Sequence, residues 1–63
     1  MTRKELVYSY ILQHTTATTM EINSVEVGGS EGTKRLRELR AEGRLDYTRQ
    51  RIAGSTQFRY TLI

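Results

Sequence analysis

The sequence predicts one small α+β domain in which three helices lead into a C-terminal β-hairpin, and three observations predict it. Two Thr-x-x-Glu boxes, Thr2 with Glu5 and Thr18 with Glu21, each stand where a helix can begin. The segment Ser30 to Leu45, SEGTKRLRELRAEGRL, sets five cations around a thin leucine stripe, the pattern of an amphipathic helix. After it the period changes from helical to alternating: LDYTRQRI and TQFRYTLI, rich in β-branched and aromatic residues, flank Ala53-Gly54-Ser55.

The first helix is expected over about residues 2–14, with the Thr2 hydroxyl accepting from the Glu5 amide while the Glu5 carboxylate reaches back. Leu6, Val7, Tyr10 and Ile11 recur at three- and four-residue intervals and give one apolar face, with Tyr8 and Gln13 off it. The next stretch, TTATTMEINSVEVGG, opens with threonines that favour extended or capping positions. A short second helix is expected over about 19–24, burying Met20 or Ile22 and Val25. Gly28-Gly29 ends it with the backbone freedom that a tight reversal needs.

Ser30 is expected to cap a third helix over about 30–42, stopped at Gly43 as a left-handed C-cap. Leu36 and Leu39 form its inner stripe. Gly32 lies one turn before Leu36, and a glycine at an inner position implies close approach of another helix, at a propensity cost of about 1 kcal/mol. The hairpin is expected over about 45–62. Phe58, Tyr60 and Leu62 share the face that packs on the helices, leaving Gln57, Arg59 and Thr61 on the other.

Sixty-three residues make a single domain, 1–63, able to bury only about 60% of its unfolded surface. With no cysteine and a single histidine, His14, there is neither a disulfide nor a four-ligand zinc site to staple it, so it must rest on packing, alone or with a partner subunit. No apolar run is long enough to span a bilayer, and MTRKELVYSY lacks the apolar core of a signal peptide. A cytoplasmic protein with no membrane partner is expected, and the missing cysteines agree with a reducing compartment. The net charge of +3 is unevenly spread. Residues 1–33 hold two cations and four acids, whereas residues 34–63 hold eight cations and three acids, an asymmetry that points to a polyanionic partner.

With Leu36 and Leu39 inward, the outer face of the third helix carries Ser30, Lys34, Glu38 and Ala41, with Arg37 and Glu31 beside it and Arg35 and Arg40 toward the flanks. Ion pairing within the helix explains little of this, since only Lys34 with Glu38 and Arg35 with Glu38 offer much attraction. A solvated charged face is the plain alternative for such a helix taken alone.

The order of elements favours a sharper reading. Arg35-Leu36-Arg37-Glu38-Leu39, then Gly43, a strand, Gly54 in a turn, and a strand ending Tyr60-Thr61-Leu62 resemble the recognition helix and wing of small winged helix-turn-helix proteins of bacteria and their phages. The resemblance covers residues 33–63 in motif and the first half in layout; Gly32 stands where that group usually holds alanine or a small β-branched residue. It implies an α+β winged helix-turn-helix fold and a sequence-specific double-stranded DNA-binding protein, a small transcriptional regulator or an excisionase-like recombination accessory factor.

In that layout the third helix enters the major groove. The resemblance therefore makes Ser30, Glu31, Thr33, Lys34 and Arg37 candidates for groove contact, with Lys34 and Arg37 donating to guanine and Glu31 accepting from a cytosine amino group. Arg35, Arg40 and Arg44 are expected on phosphates, with Arg44 equally suited to the helix C-terminal dipole. In the wing, Arg49, Arg51 and Gln57 flank the tip and are expected on backbone or in a minor groove. High affinity from so small a module calls for a homodimer or cooperative assembly on DNA. The rival class is a winged-helix adaptor that binds a protein, with Tyr8 on the outer side of the first helix as one anchor. RNA binding is a third possibility. Tyr47 and Tyr60 could stack bases in a single-stranded ligand, with half-buried core as the plainer alternative. Nothing points to an enzyme, a cofactor, a metal or a small-molecule ligand: no phosphate-cradling glycine loop, nucleophile motif or acid–base pair stands in the chain.

Overall fold

The computed structural model describes residues 2–63. Helix α1 is Arg3–His14, strand β1 Thr16–Thr18, helix α2 Thr19–Ile22, and helix α3 Gly32–Ala41, entered through a 3-10 turn at Gly29–Glu31. Strands β2, Tyr47–Arg51, and β3, Phe58–Leu62, follow. The protein is α+β, with one antiparallel sheet in the order β1-β3-β2.

Both capping boxes form. Thr2 and Thr18 each accept from the amide three residues on, and Glu5 and Glu21 each bond back to the cap. Two consequences follow for packing. Helix α1 buries Val7 and Ile11, and the one-turn α2 buries Ile22. Of the alternatives Met20 and Ile22, Ile22 is the buried one and Met20 is 67% exposed; Val25, expected inside, is instead 78% exposed. A helix of four residues offers only one inward position, and Ile22 takes it.

Strand β1 was not expected. Its residues pair Thr16 with Thr61, Ala17 with Tyr60 and Thr18 with Arg59, so it covers the edge of β3 that the hairpin alone would leave open. Thr15 turns the chain from α1 into β1 with φ of 67°, a conformation unusual for a β-branched residue, and its carbonyl accepts from the Leu62 amide at 2.7 Å.

The start of α3 differs from expectation for a physical reason. Ser30 is not its N-cap; it sits in the 3-10 turn, and the residue at the cap position, Glu31, makes no side-chain cap bond. Instead Asn23, at the end of α2, accepts from the Thr33 amide at 3.1 Å, so a neighbouring element satisfies a donor that Ser30 would otherwise have taken. The far end follows the glycine pattern: Gly43 has φ of 75°, its amide bonds to the Arg40 carbonyl, and the Arg44 amide bonds to Leu39.

Gly32 packs against the end of α2. A Cβ added there would run into the Ile22 carbonyl oxygen and lie 2.8 Å from its carbon, while one on Gly28 would lie 2.8 Å from the same oxygen. The two glycines let α3 approach α2 backbone to backbone. Behind this contact lies one core of Val7, Ile11, Ala17, Ile22, Val27, Leu36, Leu39, Tyr47 and Tyr60. Phe58 and Leu62 are half-buried on the same face of β3 as Tyr60, while Arg59 and Thr61 are exposed, as the alternation requires.

Replacing Gly32 by alanine puts a methyl into backbone that cannot yield. Gly32→Ala is expected to destabilise the fold by about 3 kcal/mol despite alanine's better helix propensity, read as a lower denaturant midpoint.

The Glu21 carboxyl is held below the usual glutamate value by the Thr18 amide first and then by the Tyr10 hydroxyl, which donates to it at 2.7 Å. A carboxyl lowered on folding contributes stability that is present above its unfolded pKa, near 4.5, and lost as the pH falls through the lower folded value. Stability is therefore expected to decline on acidification below pH 4.5, and Glu21→Gln to flatten that decline, as followed by circular dichroism.

Candidate nucleic-acid interface

Helix α3 has two chemically different flanks. On the side toward α1, Arg35 lies 3.6 Å from Glu31 and 3.3 Å from Glu38, and Lys4 of α1 lies 3.8 Å from Glu38 and 2.5 Å from Glu42. Glu38 is thus drawn to Lys4 and Arg35, not to Lys34. The Arg35 Nε is buried within ion-pair distance of Glu38 but without hydrogen-bond geometry. The Lys4 hydrogen bond is the main reason that the Glu42 carboxyl lies below its usual range.

The other flank faces the hairpin. Strand register places Tyr47, Arg49 and Arg51 opposite Leu62, Tyr60 and Phe58, and so on the helix-facing side of the sheet. Thr48 and Gln50, opposite Thr61 and Arg59, point outward. Between α3 and this inner face runs a groove of about 560 Å³, lined by Thr33, Arg37 and Arg40 from the helix and by Tyr47, Arg49, Thr56, Phe58 and Tyr60 from the hairpin, with Thr19 at one end.

Two of its arginines rest on aromatic rings. The Arg40 guanidinium lies 4.3 Å from the centre of Tyr47, and that of Arg49 lies 4.6 Å from Phe58. Tyr47 meets Tyr60 edge-on at 5.4 Å. Burial pushes the Tyr47 phenol above its ordinary value against the pull of Arg40, so it stays neutral and the groove's charge is that of its arginines. Among the described residues, every ion pair involves Lys4 or Arg35. Arg3, which donates to the Val25 carbonyl, and Lys34, Arg37, Arg40, Arg44, Arg49, Arg51 and Arg59 therefore have no acidic partner there.

The residues singled out from the sequence divide accordingly. Thr33, Arg37, Arg40 and Arg49 come together at the groove. Ser30 and Lys34 are exposed at the start of α3, and Glu31 beside them turns its carboxylate to Arg35. Arg35, expected among the phosphate ligands, is half-buried on the α1 flank with acids on either side, because its place on the helix, two positions before Arg37, carries it round to Lys4. Arg51 donates from Nε to the Ser55 carbonyl at 3.2 Å and braces the hairpin tip. Gln57 is half-buried and accepts from the Met20 amide at 3.4 Å, which ties it to α2 and away from the tip. Tyr8, expected outside, is half-buried against the core with the Arg44 guanidinium 4.6 Å from its ring centre.

Sequence reasoning missed Thr19, Thr56 and Phe58 as parts of the site, and weighed Tyr47 there only as a base-stacking residue. The alternation of β2 and β3 carried a signal for Tyr47 and Phe58, since a correct register puts both on the face of Arg49. Nothing local marked Thr19. Its hydroxyl accepts from the Phe58 amide at 2.9 Å and donates to the Phe58 carbonyl at 3.3 Å, taking over from the β1–β3 ladder where β1 ends.

No family model matches the chain, and no curated protein or solved structure matches it significantly.

Thr19→Val keeps the shape of the side chain and removes its hydroxyl. It is expected to cost about 1 kcal/mol and to speed hydrogen exchange at the Phe58 amide more than at the amides of β2.

Proposed function

We propose that the chain is a winged helix-turn-helix domain that binds double-stranded DNA sequence-specifically, as a small transcriptional regulator or an excisionase-like recombination accessory factor. Helix α3 is the recognition helix and enters the major groove; the β2–β3 hairpin is the wing and lies on the backbone or in the adjacent minor groove. The observation that carries this reading is the set of eight cations without acidic partners among the described residues, six of them on α3 and the hairpin, while the acids at and beside α3 are gathered on its α1 flank. The succession of three helices and a hairpin supports the fold assignment.

Lys34 and Arg37 are the base-reading residues in this arrangement, with Ser30, Glu31 and Thr33 beside them at the start of the helix. Arg40, Arg44, Arg49 and Arg51 contact phosphates. Arg35 serves the fold through its ion pairs. A homodimer or cooperative neighbours on DNA supply the affinity that one small module lacks. The site of action is the cytoplasm of a bacterial cell or phage-infected host.

The adaptor alternative loses Tyr8 as an anchor, since Arg44 covers it, and rests on the exposed Met20 and Val25. Base stacking by Tyr47 and Tyr60, as a single-stranded ligand would need, is disfavoured by their exposures of 4% and 6%.

An anisotropy titration against a labelled random-sequence duplex at about 50 and 200 mM salt tests the reading. Micromolar binding that weakens by an order of magnitude or more across that range is expected, with loss on combining Lys34→Ala and Arg37→Ala in a protein that still folds. A folded protein that ignores the duplex at the lower salt would turn attention to the adaptor.

A further inference from the structure

We propose that the groove between α3 and the hairpin is a preset seat for the phosphodiester backbone of a duplex, in which Tyr47 and Phe58 act as positioning residues that hold Arg40 and Arg49 for the phosphates. This rests on the DNA-binding reading and specifies what part of the ligand the groove takes.

The chemistry of the lining selects phosphate over bases. Arg40 and Arg49, the two stacked arginines, offer only donors, and no carboxylate lines the groove. The Thr19 hydroxyl is already engaged by the Phe58 backbone, and the other uncharged polar side chains of the lining are hydroxyls, which can donate to a phosphate as well as accept. A row of donors with no acid among them matches phosphate oxygens, which only accept.

The aromatic rings are not open platforms. Phe58 carries Arg49 on its face, Tyr47 carries Arg40, and Tyr60 is buried edge-on against Tyr47. A base could stack there only by displacing a guanidinium. The stacked arginines, in contrast, keep their N–H edges free, and each has given up side-chain freedom before any ligand arrives. That is the physical use of an arginine on a ring: less rotamer entropy is lost when the phosphate binds.

The test separates charge from position. Arg49→Lys keeps the charge and forfeits the planar stack, and Phe58→Leu keeps Arg49 and removes its ring. Each is expected to weaken duplex binding about three- to fivefold while leaving the slope of log affinity against log salt unchanged, and the double variant to fall no further than either single one. Arg49→Ala should lower the magnitude of that slope by about one. Gln13→Ala, exposed on α1 and outside the groove lining, should bind as wild type. Melting curves establish that each variant folds, and Arg49→Lys stands as the test if Phe58→Leu does not.

Arg49→Lys and Phe58→Leu binding as tightly as wild type, with wild-type duplex binding intact, would overturn the seat and leave the DNA-binding reading standing. Absence of wild-type duplex binding would remove both. Preference for a single strand of the same length would also overturn it, because the rings would then have to open to bases.

Discussion

The carbonyl of Ile22 and the bare Cα of Gly32 occupy a space in which no side chain fits, and the orientation of the recognition-helix candidate follows from that contact. Gly28 closes the same space from the other side, and its amide bonds to the Ile22 carbonyl at 3.0 Å. With the backbones this close, Asn23 reaches the Thr33 amide, and Leu36 and Leu39 enter the core beside Ile22. A wider separation would lose the cap and leave a void under both leucines. Glycine within a helix costs about 1 kcal/mol in propensity, and that cost is offset by the burial of two leucines, each of which contributes about 1.5–3 kcal/mol.

Once α3 is fixed, its flanks are sorted electrostatically. Glu31, Glu38 and Glu42 share the α1 side with Lys4 and Arg35, and the opposite side carries arginine without acid. Exposed ion pairs of this kind contribute about 0–1 kcal/mol each, so the arrangement is not explained by stability. Interleaving acids among the arginines of α3 and the hairpin would serve stability better, by relieving repulsion between like charges. A small domain has little stability to spare, and the retained repulsion accords with the polyanionic partner proposed above.

Much of the fold was legible in the sequence, because its strongest signals are local. The two capping boxes, the glycine stop at Gly43 and the inner face of β3 each depend on residues within a turn or a strand of one another. What was not legible depends on partners far along the chain. Three residues of β1 are too few to show alternation, and they are a strand only because β3 lies beside them. The cap on α3 comes from Asn23, ten residues earlier, so Ser30 had the right chemistry in the wrong place. Arg35 and Arg37 look alike in sequence, and 200° of helical rotation puts one among acids and the other in the groove.

The groove joins the core to the surface through the same aromatic residues. Tyr47 is a core side chain on one edge and the platform of Arg40 on its face; Phe58 packs against the core and carries Arg49. Hairpin register therefore decides which cations face α3. A slip of one residue between β2 and β3 would put Thr48, Gln50 and Ile52 in the places of Tyr47, Arg49 and Arg51, and would turn the arginines outward. Three features hold that register: the pairing of β1 with β3, the two hydrogen bonds between the Thr19 hydroxyl and the Phe58 backbone, and the turn in which Gly54 has φ of 76°. None of the three touches the groove's charges. Their effect on them is nonetheless direct, because an arginine can rest on its ring only while the strand bearing it stays in step with its neighbour.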